Sequence, residues 1–367
     1  MKNIHITLTP FANESRVIKE LSTLEKLNAL QSLIVICVLK DNLAEVEKFG
    51  NKTTVKRFNN TFSNKAYAYY QFAKFAIKHG KLEKGDVVNV HSILLLPLAC
   101  YLKFRFGVKI VYDMHELETH QNHFSDKKIK VFSVLERLLY RYVDLTICVG
   151  KNIQQFYTQK YPDNPPILLF NVPYLSDKPA VNLKQILGIS HETTLYLYQG
   201  YLTANRGIED LLDAFDDKEV RDKNYHLLIL GYGDLAPLIA SKTTENIHLL
   251  DAVHPTVLLE YTKGADVGFS LIHGSSLSYK YCAPNKLFEY IHSDIKIIAT
   301  NLVEQSEILK DYDGYITVEP TDQSQLKRAI IDINQPNYAP NNDLKHQYCW
   351  DAQEDVLLQA YTDLLKH

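Results

Sequence analysis

Short β-rich apolar runs alternate with longer segments in which apolar residues recur at every third and fourth position, nearly from end to end of the chain. Such alternation predicts parallel α/β units. In the first half it predicts strands at 3–8, 32–39, 87–91, 109–113 and 145–149, with helices at 14–27, 65–79, 94–106 and 128–142 between them. A cluster of helix and strand breakers follows, Tyr161-Pro162-Asp163-Asn164-Pro165-Pro166 and then Pro173 and Pro179, and marks a domain boundary. Beyond it a second series predicts strands at 194–199, 226–230, 246–250, 267–271, 296–299 and 315–318. The last segment, 347–367, reads as an amphipathic helix on a connection long enough to reach back. The expected architecture is α/β: two Rossmann-like doubly wound parallel sheets whose strand carboxyl ends face a cleft. The expected domains are 1–172, with 345–367 packing back on it, and 173–344.

At 367 residues the chain is long enough for two cores of ordinary size. Its 46% apolar and 23% charged residues fit a globular protein and exclude a disordered or fibrous one. The net charge of -3 hides a split. Residues 1–180 hold 25 Lys and Arg against 16 Asp and Glu, a balance of +9; residues 181–367 hold 15 against 27, a balance of -12. The basic half suits an anionic substrate or an acidic membrane surface, and it lacks the dense arginine clusters that favour nucleic acid. Cys37, Cys100, Cys148, Cys282 and Cys349 are odd in number and form no C-x-x-C pair, which points to the reducing cytosol and away from a disulfide framework or a cysteine zinc site. The first residues run into a strand-like segment without the apolar core of an export signal, and the apolar run 93–102 is interrupted by Pro97. A cytoplasmic protein with at most peripheral contact with the inner face of the cell membrane is expected.

Three segments carry candidate chemistry. Gln199-Gly200-Tyr201-Leu202-Thr203-Ala204-Asn205-Arg206-Gly207 ends one predicted strand and opens a helix, so Arg206 and the first-turn amides suit a phosphate; an ordinary turn with a solvated arginine is the competing reading. Leu230-Gly231-Tyr232-Gly233-Asp234-Leu235-Ala236 satisfies G-x-G-x-x-A, with Asp251 twenty residues on, which is the dinucleotide fingerprint of an NAD-dependent oxidoreductase. Its position argues against that, because another strand-helix pair precedes it. In Pro284-Asn285-Lys286-Leu287-Phe288-Glu289-Tyr290, Pro284 stands at a helix start and Lys286 and Glu289 share a face, so a cation can meet phosphate while a carboxylate accepts ribose hydroxyls. A plain helix whose early Glu complements the dipole fits the same spacing.

These segments, in this order, resemble glycosyltransferase family 4 and its relatives of the GT-B fold, with a G-R-L-x3-K-G turn and a P-x-K-x-x-E helix in the donor domain. The resemblance runs through Gly200 to Gly207, Leu230-Gly231 and Gly233, Ala265-Asp266-Val267, Pro284 to Tyr290 and Asp313-Gly314, and covers about residues 85–330. In the first half Val111-Tyr112-Asp113-Met114-His115-Glu116 resembles the strand ending in a cleft histidine, and Phe170-Asn171-Val172-Pro173 the interdomain Asn turn. The resemblance implies an enzyme moving a sugar from a nucleotide-sugar to a saccharide or lipid-linked saccharide, with retention and without metal or other cofactor, in cell-envelope polysaccharide synthesis. A nucleotide-sugar epimerase of related architecture is a further alternative. The resemblance places Gly200, Tyr201, Arg206, Gly207, Gly231, Gly233, Tyr281, Asn285, Lys286, Leu287 and Glu289 at the donor, Asn171 at the acceptor, and His115, Arg206 and Lys286 in catalysis. Two positions depart from the pattern: Tyr201 stands where the family has arginine, and Tyr281 where a carboxylate is frequent.

Arg16 follows the first strand and is expected near the cleft, where it could hold an acidic acceptor; surface solvation is the alternative. His115, His120 and His123 have a spacing that invites a metal, but no further ligand completes a set. Asp311-Tyr312-Asp313 reads as a turn rather than a D-x-D metal motif. The predicted helix 127–142 combines Lys127, Lys128, Lys130, Arg137 and Arg141 with Phe132, Leu135, Leu138 and Leu139, as a membrane-surface helix does, or as an ordinary amphipathic α/β helix does.

Overall fold

The computed structural model describes residues 1–12, 14–40, 42–341 and 343–366. The chain forms two compact units: Met1–Asn171 together with the chain from Gln353 onward, and Val172–Ala352.

The first unit holds β1 (Lys2–Ile6), β2 (Ser32–Val38), β3 (Val46–Phe49), β4 (Thr53–Phe58), β5 (Val87–Val90), β6 (Lys109–Asp113), β7 (Leu145–Cys148) and β8 (Ile167–Leu168), in the order β3-β4-β2-β1-β5-β6-β7-β8. All neighbours run parallel except β3, which pairs antiparallel with β4. The short, largely exposed β3 and the half-buried β4 follow no continuous apolar run, so the sequence pattern predicts neither. The first chain crossing, from β1 outward to β2 and later back to β5, makes β1 and β5 the place where the winding reverses and side chains at strand ends converge.

The second unit holds β9 (Thr194–Tyr201), β10 (Tyr225–Tyr232), β11 (Ile247–Asp251), β12 (Val267–Ser270), β13 (Lys296–Thr300) and β14 (Tyr315–Val318), all parallel, in the order β11-β10-β9-β12-β13-β14. Here β9 and β12 flank the reversal. They pair only at Tyr196 and Leu197, so a crevice opens beside the last residues of β9. At the centre of its core Tyr196 meets Phe215 edge to face at 5.2 Å between ring centroids and stacks on Phe269 at 5.6 Å, and Leu211, Leu227 and Ile229 close round them. Burying side chains of this size stabilises the unit by about 1.5–3 kcal/mol each before the ordering cost.

The helix Trp350–Lys366 begins in the second unit and from Gln353 belongs to the first. There Glu354 accepts Thr23 and Lys26, Lys109 Nζ donates to Leu364 O at 2.6 Å, and the Tyr361 hydroxyl bonds Asn89. Among the described residues no helix is long and apolar enough to cross a membrane.

Candidate functional site

In the second unit the helix Asn285–His292 is set down on the sheet by one close approach. A β-carbon at Gly268 of β12 would lie 2.6 Å from the Tyr290 ring, and the Tyr290 hydroxyl donates to Phe269 O at 3.1 Å. Pro284 precedes the first turn, and this docking brings Lys286 over β9 with its Nζ 3.6 Å from the centroid of Tyr198. That ammonium nitrogen is buried and reaches no hydrogen-bond partner among the described residues. Burial pushes its pKa well below the ordinary lysine value, the Arg206 charge pushes it the same way, and Glu289 opposes both.

Arg206 lies in the turn from β9 to the helix Ile208–Asp216, whose first residue is preceded by Gly207, and its guanidinium carbon stands 4.9 Å from the Tyr279 ring. Gly200 borders Lys286: a β-carbon there would stand 3.9 Å from Nζ. Two cations of one sign and the open start of a helix thus converge on the end of β9 at the crevice, an arrangement that attracts a dianion. One turn along from Lys286, Glu289 accepts Gln199 Nε2, and Gln199 Oε1 in turn accepts the Thr262 hydroxyl at 2.8 Å. The buried chain Thr262–Gln199 therefore fixes the carboxylate. The spacing of Lys286 and Glu289 shows in the sequence; Gln199, Thr262 and Tyr198 do not, because only the docked helix brings them there.

Other expected residues divide. Tyr201 is exposed, Asn285 is exposed at the helix start, and Tyr281 is half-buried after the short helix Leu277–Lys280. Leu287 is fully buried, so its side chain belongs to the core and not to a donor surface. Gly231 and Gly233 serve the backbone. A β-carbon at Gly231 would meet Gly200 O at 2.0 Å and one at Gly233 would meet Leu202 O at 2.4 Å, so the two glycines let the β10 turn close on the β9 turn. This turn follows the second strand of its sheet, and Asp251 is exposed opposite Gly231, which withdraws the dinucleotide reading of the fingerprint.

In the first unit the reversal point carries a buried polar cluster from four elements. His5 comes from β1, His91 follows β5, Asp113 ends β6, and Arg16 and Glu20 come from the helix Ser15–Leu24. Arg16 donates through Nη2 to Asp113 Oδ1 at 2.7 Å and through Nη1 to Leu169 O at 2.7 Å, and Glu20 lies 3.0 Å from its Nε. Arg16 is therefore neither an acceptor clamp nor a solvated arginine: it is buried, and its charge is neutralised by Asp113. Burial alone would raise the Asp113 carboxyl, but Arg16, His115 and His91 outweigh it and hold it well below the ordinary range. Glu20 moves the other way, pushed up by burial and by Asp113.

Ionised Asp113 sets the tautomers of its neighbours. His91 Nδ1–H donates to Oδ2 at 2.9 Å, which leaves Nε2 to accept His5 Nδ1–H at 3.0 Å. His115 Nε2 lies 3.1 Å from the same oxygen, so its Nδ1 is left as the acceptor on a ring that is 33% exposed. Burial lowers the pKa values of His5 and His91 and keeps both neutral near pH 7. Asp113 and His91 stand at or just past strand ends, as the predicted His115 does, and only the fold reveals that the two histidines share one carboxylate oxygen. Asn171 is half-buried at the end of the segment Met1–Asn171. Among the described residues His91, Asp113 and His115, and His5, Glu20 and His91, are compact enough to hold a metal ion, whereas His120 contacts Thr119 and His123 contacts Phe124. A divalent cation at the first group would sit against the buried Arg16 charge, which disfavours it.

The two sheets, each with its polar groups at the point of reversal, define a tandem Rossmann-like fold of the GT-B kind. Residues 22–168 match the family Glycosyltransferase Family 4, and residues 193–335 match Glycosyl transferases group 1. The chain belongs to these GT-B glycosyltransferases and is an enzyme of that class. Among solved structures it is similar to sucrose-phosphate synthase from Thermosynechococcus elongatus, with a TM-score of 0.78 at 15% identity over 100% of both chains. It is similar as well to the Anabaena protein HepE in complex with UDP-glucose, with a TM-score of 0.72 at 12% identity over 99% of this chain and 100% of that one. A structure from E. coli described as trehalose-6-phosphate bound with UDP-2-fluoro glucose follows, with a TM-score of 0.68 at 12% identity over 100% of this chain and 99% of that one. Among curated protein sequences none matches the chain significantly.

Proposed function

We propose that the enzyme binds a nucleotide-sugar on Val172–Ala352 and a saccharide or lipid-linked saccharide acceptor on the first unit, and transfers the sugar with retention and without a metal, in cell-envelope polysaccharide synthesis. The observation that carries this reading is the buried, unpartnered ammonium of Lys286 beside Arg206. A buried cation without a partner is costly, and a diphosphate is the anion that offsets two of them at a helix start. Glu289, held by Gln199, takes the ribose hydroxyls. In the reaction the bond from the anomeric carbon to the diphosphate oxygen breaks, and its electron pair leaves with the phosphate. Lys286 and Arg206 stabilise that growing charge, as a divalent cation does elsewhere. The acceptor oxygen bonds the anomeric carbon and its proton passes to the departing phosphate, while His115 Nδ1 accepts a donor-sugar hydroxyl. UDP-glucose, the ligand named in the HepE structure, is the first donor to test.

The basic helix at the first unit supports a place at the inner membrane face. Val131, Val134 and Leu138 of the helix Asp126–Leu139 are each more than half exposed, next to Lys127, Lys128 and Lys130.

A thermal-shift titration tests the donor reading: UDP at about a hundred times its Kd raises stability by about 2.7 kcal/mol, and NAD(H) leaves it unchanged. Lys286→Ala and Arg206→Ala each cost about 2–4 kcal/mol of transition-state stabilisation, read from kcat/KM in the presence of EDTA. Wild-type turnover in both variants, or activity restored only by Mg²⁺, overturns the site.

A further inference from the structure

We propose that Tyr201 and Tyr232 form an aromatic platform on which the nucleobase of the donor stacks; this rests on the donor reading above and adds the part of the ligand that the phosphate and ribose contacts leave unassigned. The two residues end β9 and β10 and are paired in register, and the Leu202 N–H donates to Tyr232 O at 2.8 Å to pin the turn between them. Their ring centroids lie 5.4 Å apart at an interplanar angle of 72°. An edge-to-face pair leaves ring surface open to a third planar partner. Tyr196 and Tyr198 on the same strand are fully buried, whereas Tyr201 is 50% and Tyr232 58% exposed, so these rings contribute little to the core.

Their place relative to the rest of the site follows from strand geometry. Tyr201 is two residues along β9 from Gln199 and directly follows Gly200, which borders Lys286, so its ring stands at the strand end beside the cations. Gln199 holds Glu289, and within a nucleotide the base adjoins the ribose. Phosphate at Lys286, ribose at Glu289 and base at the tyrosines is then the order in which one ligand can lie. The platform is also stiff, because Gly231 and Gly233 bring the two strand ends into backbone contact that no side chain would permit. A preformed surface loses little freedom when the base arrives. Every base has a π-face, so the rings select a nucleoside diphosphate over inorganic pyrophosphate without choosing between bases.

The experiment is calorimetric titration of UDP, GDP and inorganic pyrophosphate into the wild type and into Tyr201→Ala, Tyr232→Ala, Tyr201→Phe and Tyr232→Phe. Each alanine variant weakens UDP and GDP about tenfold and leaves pyrophosphate unchanged, while each phenylalanine variant binds as the wild type does. Thermal unfolding of all four variants matches the wild type, since the rings are exposed. Unchanged UDP and GDP binding in the alanine variants overturns the platform, as does an equal loss for pyrophosphate, which would make the rings supports of the phosphate turn. A wild type that binds pyrophosphate and neither nucleotide overturns the platform together with the donor reading, and so separates the two failures.

Discussion

Lys286 keeps an ammonium group in a place where folding gains nothing from it. Its pKa is depressed by burial, so the charged form carries a penalty that is fully present below the folded pKa and disappears as pH rises through the unfolded value of about 10.4. Lys286→Met removes the charge and lays a thioether on the Tyr198 ring. The variant is therefore more stable than the wild type by about 1–2 kcal/mol at pH 7, with the gap closing toward pH 10 in denaturant melts, and it no longer binds UDP. The same depression gives binding a proton signature: phosphate favours the ammonium form, so UDP binding takes up protons, and affinity falls as pH rises. Titrations in two buffers of different ionisation enthalpy measure the uptake. The residue pattern alone shows that Lys286 and Glu289 share a helix face, but the penalty is invisible there, because it depends on Tyr198 and on the close approach allowed by Gly268.

At the scale of elements, Asp113 ties β6 to the helix Ser15–Leu24 through Arg16, and to His91 after β5. Asp113→Asn leaves the Arg16 guanidinium buried without its counter-charge, and the loss is about 3–5 kcal/mol in urea melts. Since the folded pKa of Asp113 is depressed, its contribution is complete above the unfolded value of about 3.9 and is lost as pH falls below it; the Asn variant lacks that part of the acid transition. Equal stability of variant and wild type at pH 7 would show the tie to be inert. The parallel strands other than β4 and the two-residue β8 were legible in the sequence because most of them are buried apolar runs between helical segments. The β3–β4 ribbon was not, since β3 is an exposed edge whose pairing comes from backbone and not from an apolar pattern. The direction in which Arg16 points was equally hidden: position after a strand places it at the strand ends, and only Asp113 decides that it turns inward. The helix Asp126–Leu139 departs from its pattern for a related reason. Its inward anchor is the buried Glu136, which accepts Tyr157 and, at 2.8 Å, Lys160, so apolar Val131, Val134 and Leu138 are left outside.

On the whole molecule the charge split and that outward apolar face point to one consequence. Residues 1–180 carry +9 and residues 181–367 carry -12, so attraction to an anionic surface is confined to the first half of the chain. Lys127, Lys128 and Lys130 are exposed beside Val131, Val134 and Leu138, and Tyr101 and Phe104 of the helix Leu96–Phe106 are exposed as well. Each lysine near an anionic bilayer is worth about 1 kcal/mol, and the attraction is screened within about 8 Å at physiological salt. Sedimentation with phosphatidylglycerol vesicles should then show strong binding at low salt, a steep fall as salt rises, and little binding to phosphatidylcholine alone. The triple Lys127→Gln, Lys128→Gln, Lys130→Gln variant should bind on the order of a hundredfold more weakly at low salt. Val131→Ser with Val134→Ser should instead lower the binding that survives high salt, because that part comes from apolar burial and not from charge. If the triple variant and the wild type partition equally onto anionic vesicles, the lysines form a solvated face, and an acceptor dissolved in water replaces the lipid-linked one.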